Sequence, residues 1–375
     1  MTSASYSSAA AEPFEGLRIR GVAKTFGTDT TVLNEIDLDV HPRELISLVG
    51  SSGTGKSTLL RIIAGLEEPS AGRVTYAGQP LERGSVGVVF QRPILYPHLS
   101  VKDNILFPTR LGAFSGGVDM DYYRELLEAL KLEGLESRKP SQLSGGQAQR
   151  VGIARALIRR APVVLFDEPL ASVDEEMSAS IRADIVRLHE RYGFTGLYVT
   201  HDQNEALMLG QRVAVMDAGY LVQVDTPERL LAHPHTLQVA KLMAAPALNL
   251  VALEDSAVLP AGCQLAIRAT ALCPVAADAA HSLPVQVLGS RHLVGGMLYR
   301  ARLLEAVSLP LESRRASADS EPSDRVYARV RAGQELEFFI PDAQSGSSLN
   351  VGDRVHLGVA AERCFVFSNG KRFYL

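Results

Sequence analysis

Apolar residues along this chain change their spacing several times, and each change marks an element. Residues 17–22 and the run Ile36-Asp37-Leu38-Asp39-Val40 alternate apolar with polar, the period of a half-buried strand, and Phe26 falls in the turn between them. Leu45-Ile46-Ser47-Leu48-Val49 is nearly continuous, and Leu59, Leu60, Ile62, Ile63 and Leu66 then recur at helical spacing. Pro69-Ser70-Ala71-Gly72 reads as a turn, followed by strand-like runs at 73–76 and 86–90. From Ser100 to about Pro140 the spacing is helical, with Leu126, Leu127, Leu130 and Leu132 on one side. Val163-Val164-Leu165-Phe166 is wholly apolar, as expected of a central parallel strand covered on both faces. Ile181, Ile185 and Leu188 carry the next helix, and residues 196–200 the next strand. Strands alternating with helices predict a parallel α/β sheet. Near Ala244-Ala245-Pro246 the style changes to short alternating runs, such as Val326-Tyr327-Ala328-Arg329-Val330 and Val355-His356-Leu357-Gly358-Val359. These predict a small all-β domain. Residues 1–13, rich in Ser and Ala, read as a disordered tail, and residues 312–325, rich in Ser, Arg, Asp and Glu, as a mobile loop.

Between the apolar run at 45–49 and the helix at 59–66 lies Gly50-Ser51-Ser52-Gly53-Thr54-Gly55-Lys56-Ser57-Thr58. Its spacing is G-x-x-x-x-G-K-[ST], the phosphate-binding loop. Glycines let successive backbone N–H groups turn toward an anion with no Cβ in the way. Lys56 would set an ammonium on the β- and γ-phosphates, the Ser57 hydroxyl can ligate Mg²⁺, and the helix start adds its positive dipole end.

Two further stretches carry candidate chemistry. The apolar strand at 163–166 ends in Asp167-Glu168, at the edge where open α/β sheets bind ligands. Asp167 is therefore placed to hold Mg²⁺, directly or through water, and Glu168 to orient and polarise an attacking water. Leu143-Ser144-Gly145-Gly146-Gln147 opens a helix along which Val151, Ala154 and Leu157 recur. That turn is either a second anion-binding helix start or a plain N-terminus capped by Ser144.

Composition narrows the partners. At 375 residues the chain can hold two or three domains, and 46% hydrophobic with 21% charged residues is a soluble globular profile. A net charge of −4 argues against nucleic acid as the main partner. No apolar stretch approaches the ~18 residues that span a bilayer. The start of the chain lacks the basic and apolar blocks of a signal peptide. Cys263, Cys273 and Cys364 are odd in number and without metal-ligand spacing, as for free thiols in a reducing compartment.

In this order, residues 50–58, 143–147 and 163–168 are similar to the nucleotide-binding subunit of an ATP-binding cassette (ABC) transporter, a resemblance that covers residues 14 to about 245. It implies a P-loop NTPase with a parallel-sheet core, an antiparallel β subdomain and a helical subdomain at about 100–155, using ATP and Mg²⁺. On this resemblance Gln91 matches the Q-loop, which contacts Mg²⁺ and water and senses the membrane partner. Pro93-Ile94-Leu95-Tyr96-Pro97-His98-Leu99-Ser100-Val101 resembles the segment that receives the permease's coupling helix. Asp174 matches the D-loop aspartate, His201 the switch histidine on the γ-phosphate, and Phe26 the aromatic that stacks on adenine. Two positions depart from the pattern. Ser51 stands where relatives commonly have proline, and Ala171-Ser172-Val173 replaces the usual Ser-Asn-Leu before the D-loop aspartate.

The family resemblance further implies two cassettes packed head to tail, as a homodimer or paired cassette, each ATP lying between one copy's phosphate loop and the other's Leu143–Gln147 turn. One loop and one such turn per chain agree with an isologous dimer. Asp225-Thr226-Pro227-Glu228, Pro246-Ala247-Leu248-Asn249-Leu250 and Ala266-Ile267-Arg268-Ala269 resemble binding-protein-dependent importers, with residues 246–375 forming a regulatory OB-like (TOBE) domain. The resemblance is to carbohydrate importers of the maltose and glycerol-phosphate type, with ferric-iron, polyamine and sulfate importers as alternatives. It implies a peripheral ATPase on the cytoplasmic face of the membrane, partnered by permease subunits, indirectly by an external solute-binding protein, and by a regulator or effector at the β domain. A soluble ABC protein of translation or DNA repair is disfavoured, since neither a second cassette nor a long coiled-coil insertion is present. From Ser256 to the end, thirteen Lys and Arg face eleven Asp and Glu, too small a surplus for a nucleic-acid groove.

Overall fold

The computed structural model describes residues 14–110, 118–254, 259–260, 262–311, 326–342, 349–359 and 363–373; the expected tail at 1–13 and loop at 312–325 lie outside them. The chain divides into two compact units that meet at Pro227 and Glu228.

The first unit opens with β1 (Leu17–Phe26) and β2 (Thr30–Val40), then β3 (Leu45–Val49), α1 (Lys56–Ile63), β4 (Ala71–Tyr76), β5 (Gln79–Pro80) and β6 (Gly87–Val89). Helices α2 (Val101–Leu106), α3 (Met120–Ala129) and α4 (Gly145–Leu157) form the expected helical region. After them come β7 (Val163–Asp167), α5 (Glu175–Tyr192), β8 (Thr195–Thr200), α6 (Gln203–Leu209), β9 (Arg212–Asp217) and β10 (Tyr220–Asp225). Phe26 closes β1, paired with Thr30, and is not in a turn, because register shifts let the hairpin run on past Val22.

One sheet is antiparallel, in the order β2-β1-β4-β5; the other runs β10-β9-β3-β8-β7-β6, parallel except at its β10 edge. Every residue of β3 and β8 is buried, which is why their sequences lack an exposed polar face. Side chains leave the parallel sheet alternately to its two sides. Ile46, Leu48, Leu165, Leu197 and Val199 pack with α1 and the antiparallel sheet, while Val164, Phe166 and Tyr198 pack with α2 to α5. On that second side Leu126, Leu127, Leu130 and Leu132 meet Val151, Ile153 and Leu157 of α4.

The second unit begins earlier than the change of style at 246. After α7 (Pro227–Ala232), helix α8 (Leu237–Leu242) packs Leu237 and Ala240 on Ala266, Phe365 and Phe367, so its apolar face belongs with the strands that follow. Those strands are β11 (Leu248–Ala252), β12 (Gln264–Arg268), β13 (Leu272–Val275), β14 (Leu283–Leu293), β15 (Gly296–Leu303), β16 (Val307–Leu311), β17 (Val326–Val330), β18 (Glu335–Pro341), β19 (Arg354–Val359), β20 (Cys364–Ser368) and β21 (Lys371–Phe373). They form antiparallel sheets in the orders β11-β12-β20-β21, β13-β19-β14-β15-β18 and β16-β17. Leu265, Val285, Ala301, Leu309 and Phe338 lie in their common core.

Truncating Leu165, fully buried in β7, should cost about 3 kcal/mol through lost transfer energy and an unfilled cavity. Urea unfolding of Leu165→Ala checks this, and the same cut at exposed Val351 should cost less than about 0.5 kcal/mol.

Candidate nucleotide-binding site

Sheet register decides which residues can meet. Val49 stands opposite Thr200, and Asp167 opposite Val199, so the chain leaves β3, β7 and β8 at one edge. The phosphate loop leaves β3, Glu168 follows β7, and His201 follows β8.

Within the loop the glycines have steric reasons. Gly53 and Gly55 take φ of 82° and 98°, where a side chain would be strained. A Cβ on Gly50 would lie 2.4 Å from the Met216 carbonyl oxygen. Helix α1 starts at Lys56, a residue 5% exposed, whose ammonium donates to the carbonyls of Gly50 at 2.7 Å and Ser51 at 3.0 Å. Burial pulls the Lys56 pKa below its usual value, against the fields of Glu168 and Asp167. Ser51, in the place of a proline, fits without distortion: its carbonyl accepts from the Thr54 hydroxyl at 3.0 Å and the Thr54 N–H at 3.4 Å.

Ser57 donates its hydroxyl to Asp167 Oδ1 at 3.2 Å. Burial raises the Asp167 pKa, the Ser57 bond opposing it. A hydroxyl and a carboxylate at this spacing are hard oxygen donors of the kind Mg²⁺ takes, with phosphate oxygens and water completing an octahedron. Among the described residues no cluster of three or more His, Cys, Asp and Glu could hold a metal. The Ser57–Asp167 pair by itself fits a cation whose other ligands come from phosphate and water.

Glu168 adopts φ of 44°, donates its N–H to the Val199 carbonyl at 3.0 Å, and brings Oε2 to 2.9 Å from His201 Nδ1. A left-handed glutamate costs roughly 1 kcal/mol, a strain concentrated at functional sites. The two side chains remain reachable, 21% and 57% exposed. Gln91, exposed, follows β6, where Val89 is in register with Phe166, so it stands at the same edge. Phe26 is exposed at the hairpin end, with the Lys24 ammonium 4.8 Å from its ring centre. The hairpin lies over the loop, since Val32 and Leu33 crowd Gly55.

The second turn stands apart. Ser144 caps α4, its Oγ accepting from Gln147 N–H at 3.2 Å while Gln147 Oε1 accepts from Ser144 N–H at 3.0 Å, a reciprocal capping box. Gly146 abuts Met177 of α5, where a Cβ would meet Sδ at 2.7 Å. Asp174 caps α5, accepting from Met177 N–H at 2.9 Å. Among the described residues no hydrogen bond or ion pair joins residues 143–147 to residues 50–58.

Three buried polar residues escape a sequence reading. Gln149, 1% exposed, donates to the Phe90 carbonyl at 3.2 Å, holding the residue before Gln91. Arg150 donates to Asp184 at 3.1 Å and to Ser180 at 2.8 Å, fixing α4 to α5. Asn104, fully buried, accepts from Tyr96 N–H at 2.7 Å and donates to the carbonyls of Tyr96, Leu99 and Ser100, which shapes the stretch after Gln91. Polar residues on an otherwise apolar helix face are their only sequence signal.

A model of the ABC transporter family matches residues 33–171. The sn-glycerol-3-phosphate import ATP-binding protein of Salmonella typhi is 42% identical over 266 residues, covering 68% of this chain and 74% of that protein. The chain belongs to the ABC transporter family. The corresponding protein of Rhizobium johnstonii is 45% identical over 241 residues, 63% of this chain and 65% of the relative, so that match spans just under two thirds of its length. Among solved structures, cbiO1 of Clostridium perfringens, part of the ABC transporter complex cbiONQ, aligns with a TM-score of 0.53 at 27% identity, covering 59% of this chain and 92% of that one. A dimeric ATP-binding cassette in a post-hydrolysis state bound to ADP and Pi aligns with a TM-score of 0.50 at 32% identity, covering 56% and 98%. The phosphate loop of this ABC family member thus leaves the edge formed by β3, β7 and β8.

Because burial raises the Asp167 pKa, the folded state binds more protons than the unfolded one just above the usual carboxylate range, and stability falls as pH rises through it. Asp167→Asn should therefore raise the neutral-pH melting temperature of the nucleotide-free protein and flatten that decline. A lowered midpoint would show that the charge is stabilising there.

Proposed function

We propose that this chain is the ATP-hydrolysing subunit of an ABC importer for a carbohydrate or a phosphorylated polyol of the sn-glycerol-3-phosphate kind. The observation that carries the ATPase reading is the meeting of Lys56, Ser57 with Asp167, and Glu168 with His201 at one sheet edge. Among the solutes the resemblance leaves open, the relatives' names favour the phosphorylated polyol over ferric iron, polyamine or sulfate.

In this reading Lys56 exchanges its loop carbonyls for the β- and γ-phosphates, a trade that its burial makes favourable. Ser57 and Asp167, with Gln91, would hold Mg²⁺, which would supply charge neutralisation on the phosphates. Glu168 orients and polarises the attacking water, and His201, fixed by Glu168, donates toward the γ-phosphate. Phe26 stacks on the adenine. Catalysis is then positioning and charge neutralisation, as expected for phosphoryl transfer.

Ser144 to Gln147, capped on their own helix and without a bond to the phosphate loop, are proposed to close the ATP site of a second copy. Asp174 is proposed to meet that copy at the same seam. No described helix is long and apolar enough to cross a membrane. The transport path is proposed to come from separate permease subunits on whose cytoplasmic face this chain docks, supplied by an external solute-binding protein. A cleft of about 310 Å³ lined by Phe90, Ile94, Tyr96, Phe107, Arg155 and Arg159 suits an apolar helix end from such a subunit. The sheet-rich second unit is proposed to be the regulatory domain.

Glu168→Gln should bind ATP as the parent does and lose turnover by about 10²–10⁴-fold, the range for a lost general base. Nucleotide binding by fluorescence and phosphate release measured together check this. A variant with parental turnover would remove Glu168 from the mechanism.

A further inference from the structure

The residue before His201 is held by a buried carboxylate, and the residue after it is tied to the same network. Glu205, on α6, is 8% exposed, and its Oε2 accepts from the Thr200 hydroxyl at 2.8 Å and the Tyr198 hydroxyl at 3.2 Å. The Thr200 oxygen in turn accepts the Asp202 N–H at 3.0 Å. Asp202 closes the ring from the other side, its Oδ1 accepting from Asn204 N–H at 2.7 Å and from Glu205 N–H at 3.1 Å. His201 is thus the outward corner of a turn whose inner side is one hydrogen-bonded loop.

A buried carboxylate is tolerated only when its oxygens are filled and its charge is met. Tyr198 stays a donor, since burial and the Glu205 charge hold its phenol well above the usual value. The charge is met by Arg182, whose Nη1 lies 3.5 Å from Glu205 Oε1 and whose Nη2 lies 2.9 Å from Glu175 Oε1. Glu175 is in the first turn of α5, the helix that Asp174 caps. A chain of contacts therefore runs from the His201 turn to the start of α5.

We propose that Glu205 is a positioning residue: it sets the turn that presents His201 to Glu168 and the nucleotide, and through Arg182 it ties that turn to the start of α5. Among the described residues no hydrogen bond or ion pair joins it to His201 or Glu168, so it acts through Thr200 and Asp202. The inference rests on the ATPase reading above.

Steady-state and single-turnover ATP hydrolysis by the full-length chain test it, with Glu205→Leu, Glu205→Gln and Thr200→Val each made alone and together with His201→Ala. Wild-type chain without Mg²⁺-dependent hydrolysis would overturn the ATPase reading and this one with it; variant behaviour in an active enzyme bears on Glu205 alone. Glu205→Leu and Thr200→Val should each lower kcat about tenfold with KM for ATP within about twofold. Glu205→Gln, whose amide oxygen can still accept from Thr200, should stay within about threefold of wild type. In the His201→Ala background each change should lower the single-turnover rate by less than about twofold, because the group being positioned is gone. Equal losses in both backgrounds, or an unchanged kcat, would overturn the proposal. Should Glu205→Leu fail to fold, the nearly isosteric Thr200→Val carries the same comparison.

Discussion

Thr200 stands opposite Val49, and Val199 opposite Asp167, in the parallel sheet, and the three loops that leave these strands have nowhere to go but together. That pairing is the constraint on which the site depends. It is enforced by burial: β3 and β8 are enclosed along their whole length, and slipping either by one residue would send Ile46 and Leu48, or Leu197 and Val199, to the wrong face. Hydrophobic register thus brings Lys56, Asp167, Glu168 and His201 to one edge, where the Glu168–His201 contact and the fields of both carboxylates on Lys56 then act between them.

Around this edge, polar contacts hold loops that packing leaves loose. Helix α4 shows its capped start, Ser144 to Gln147, outward, while its inner side grips two neighbours. Gln149 holds the end of β6 before Gln91, and Arg150 holds α5 through Asp184, a fully buried carboxylate that Arg187 also pairs. The helix that carries the Ser144 turn is thus bonded to the residue before Gln91 and to α5. In an ABC importer those are the places where a permease and a second cassette would act. Glu205 extends the same logic to the histidine turn.

Much of this was legible in the sequence because it is local. The phosphate loop, the apolar strand ending in Asp167-Glu168 and the Ser144 cap each need only neighbours in the chain, and glycine φ values of 82° and 98° explain why Gly53 and Gly55 stand where they do. Strands β9 and β10 went unmarked, although Val213-Ala214-Val215-Met216 and the Ala218-Gly219 turn carry the signal. The boundary between units lies at Pro227 and not near 246, since short helices declare their allegiance only through what they pack on, here Phe365 and Phe367. Gln149, Arg150, Asn104 and Glu205 could not be read at all. Their partners are 4 to 59 residues away, and a polar residue on a helix looks solvated until the fold buries it.

The account makes the nucleotide site half of a larger one. On the proposed reading, Lys56 to Glu168 and His201 would form the part that binds and cleaves, and the Ser144 turn on α4 would complete the site of another copy. The most direct test is the mass of Glu168→Gln in solution by light scattering, with Mg²⁺ and ATP, with ADP, and with Ser144→Arg added. The account predicts twice the chain mass with ATP alone, and the single-chain mass with ADP or once Ser144 is replaced. A chain that stays monomeric with ATP bound, or a dimer indifferent to Ser144, would contradict it.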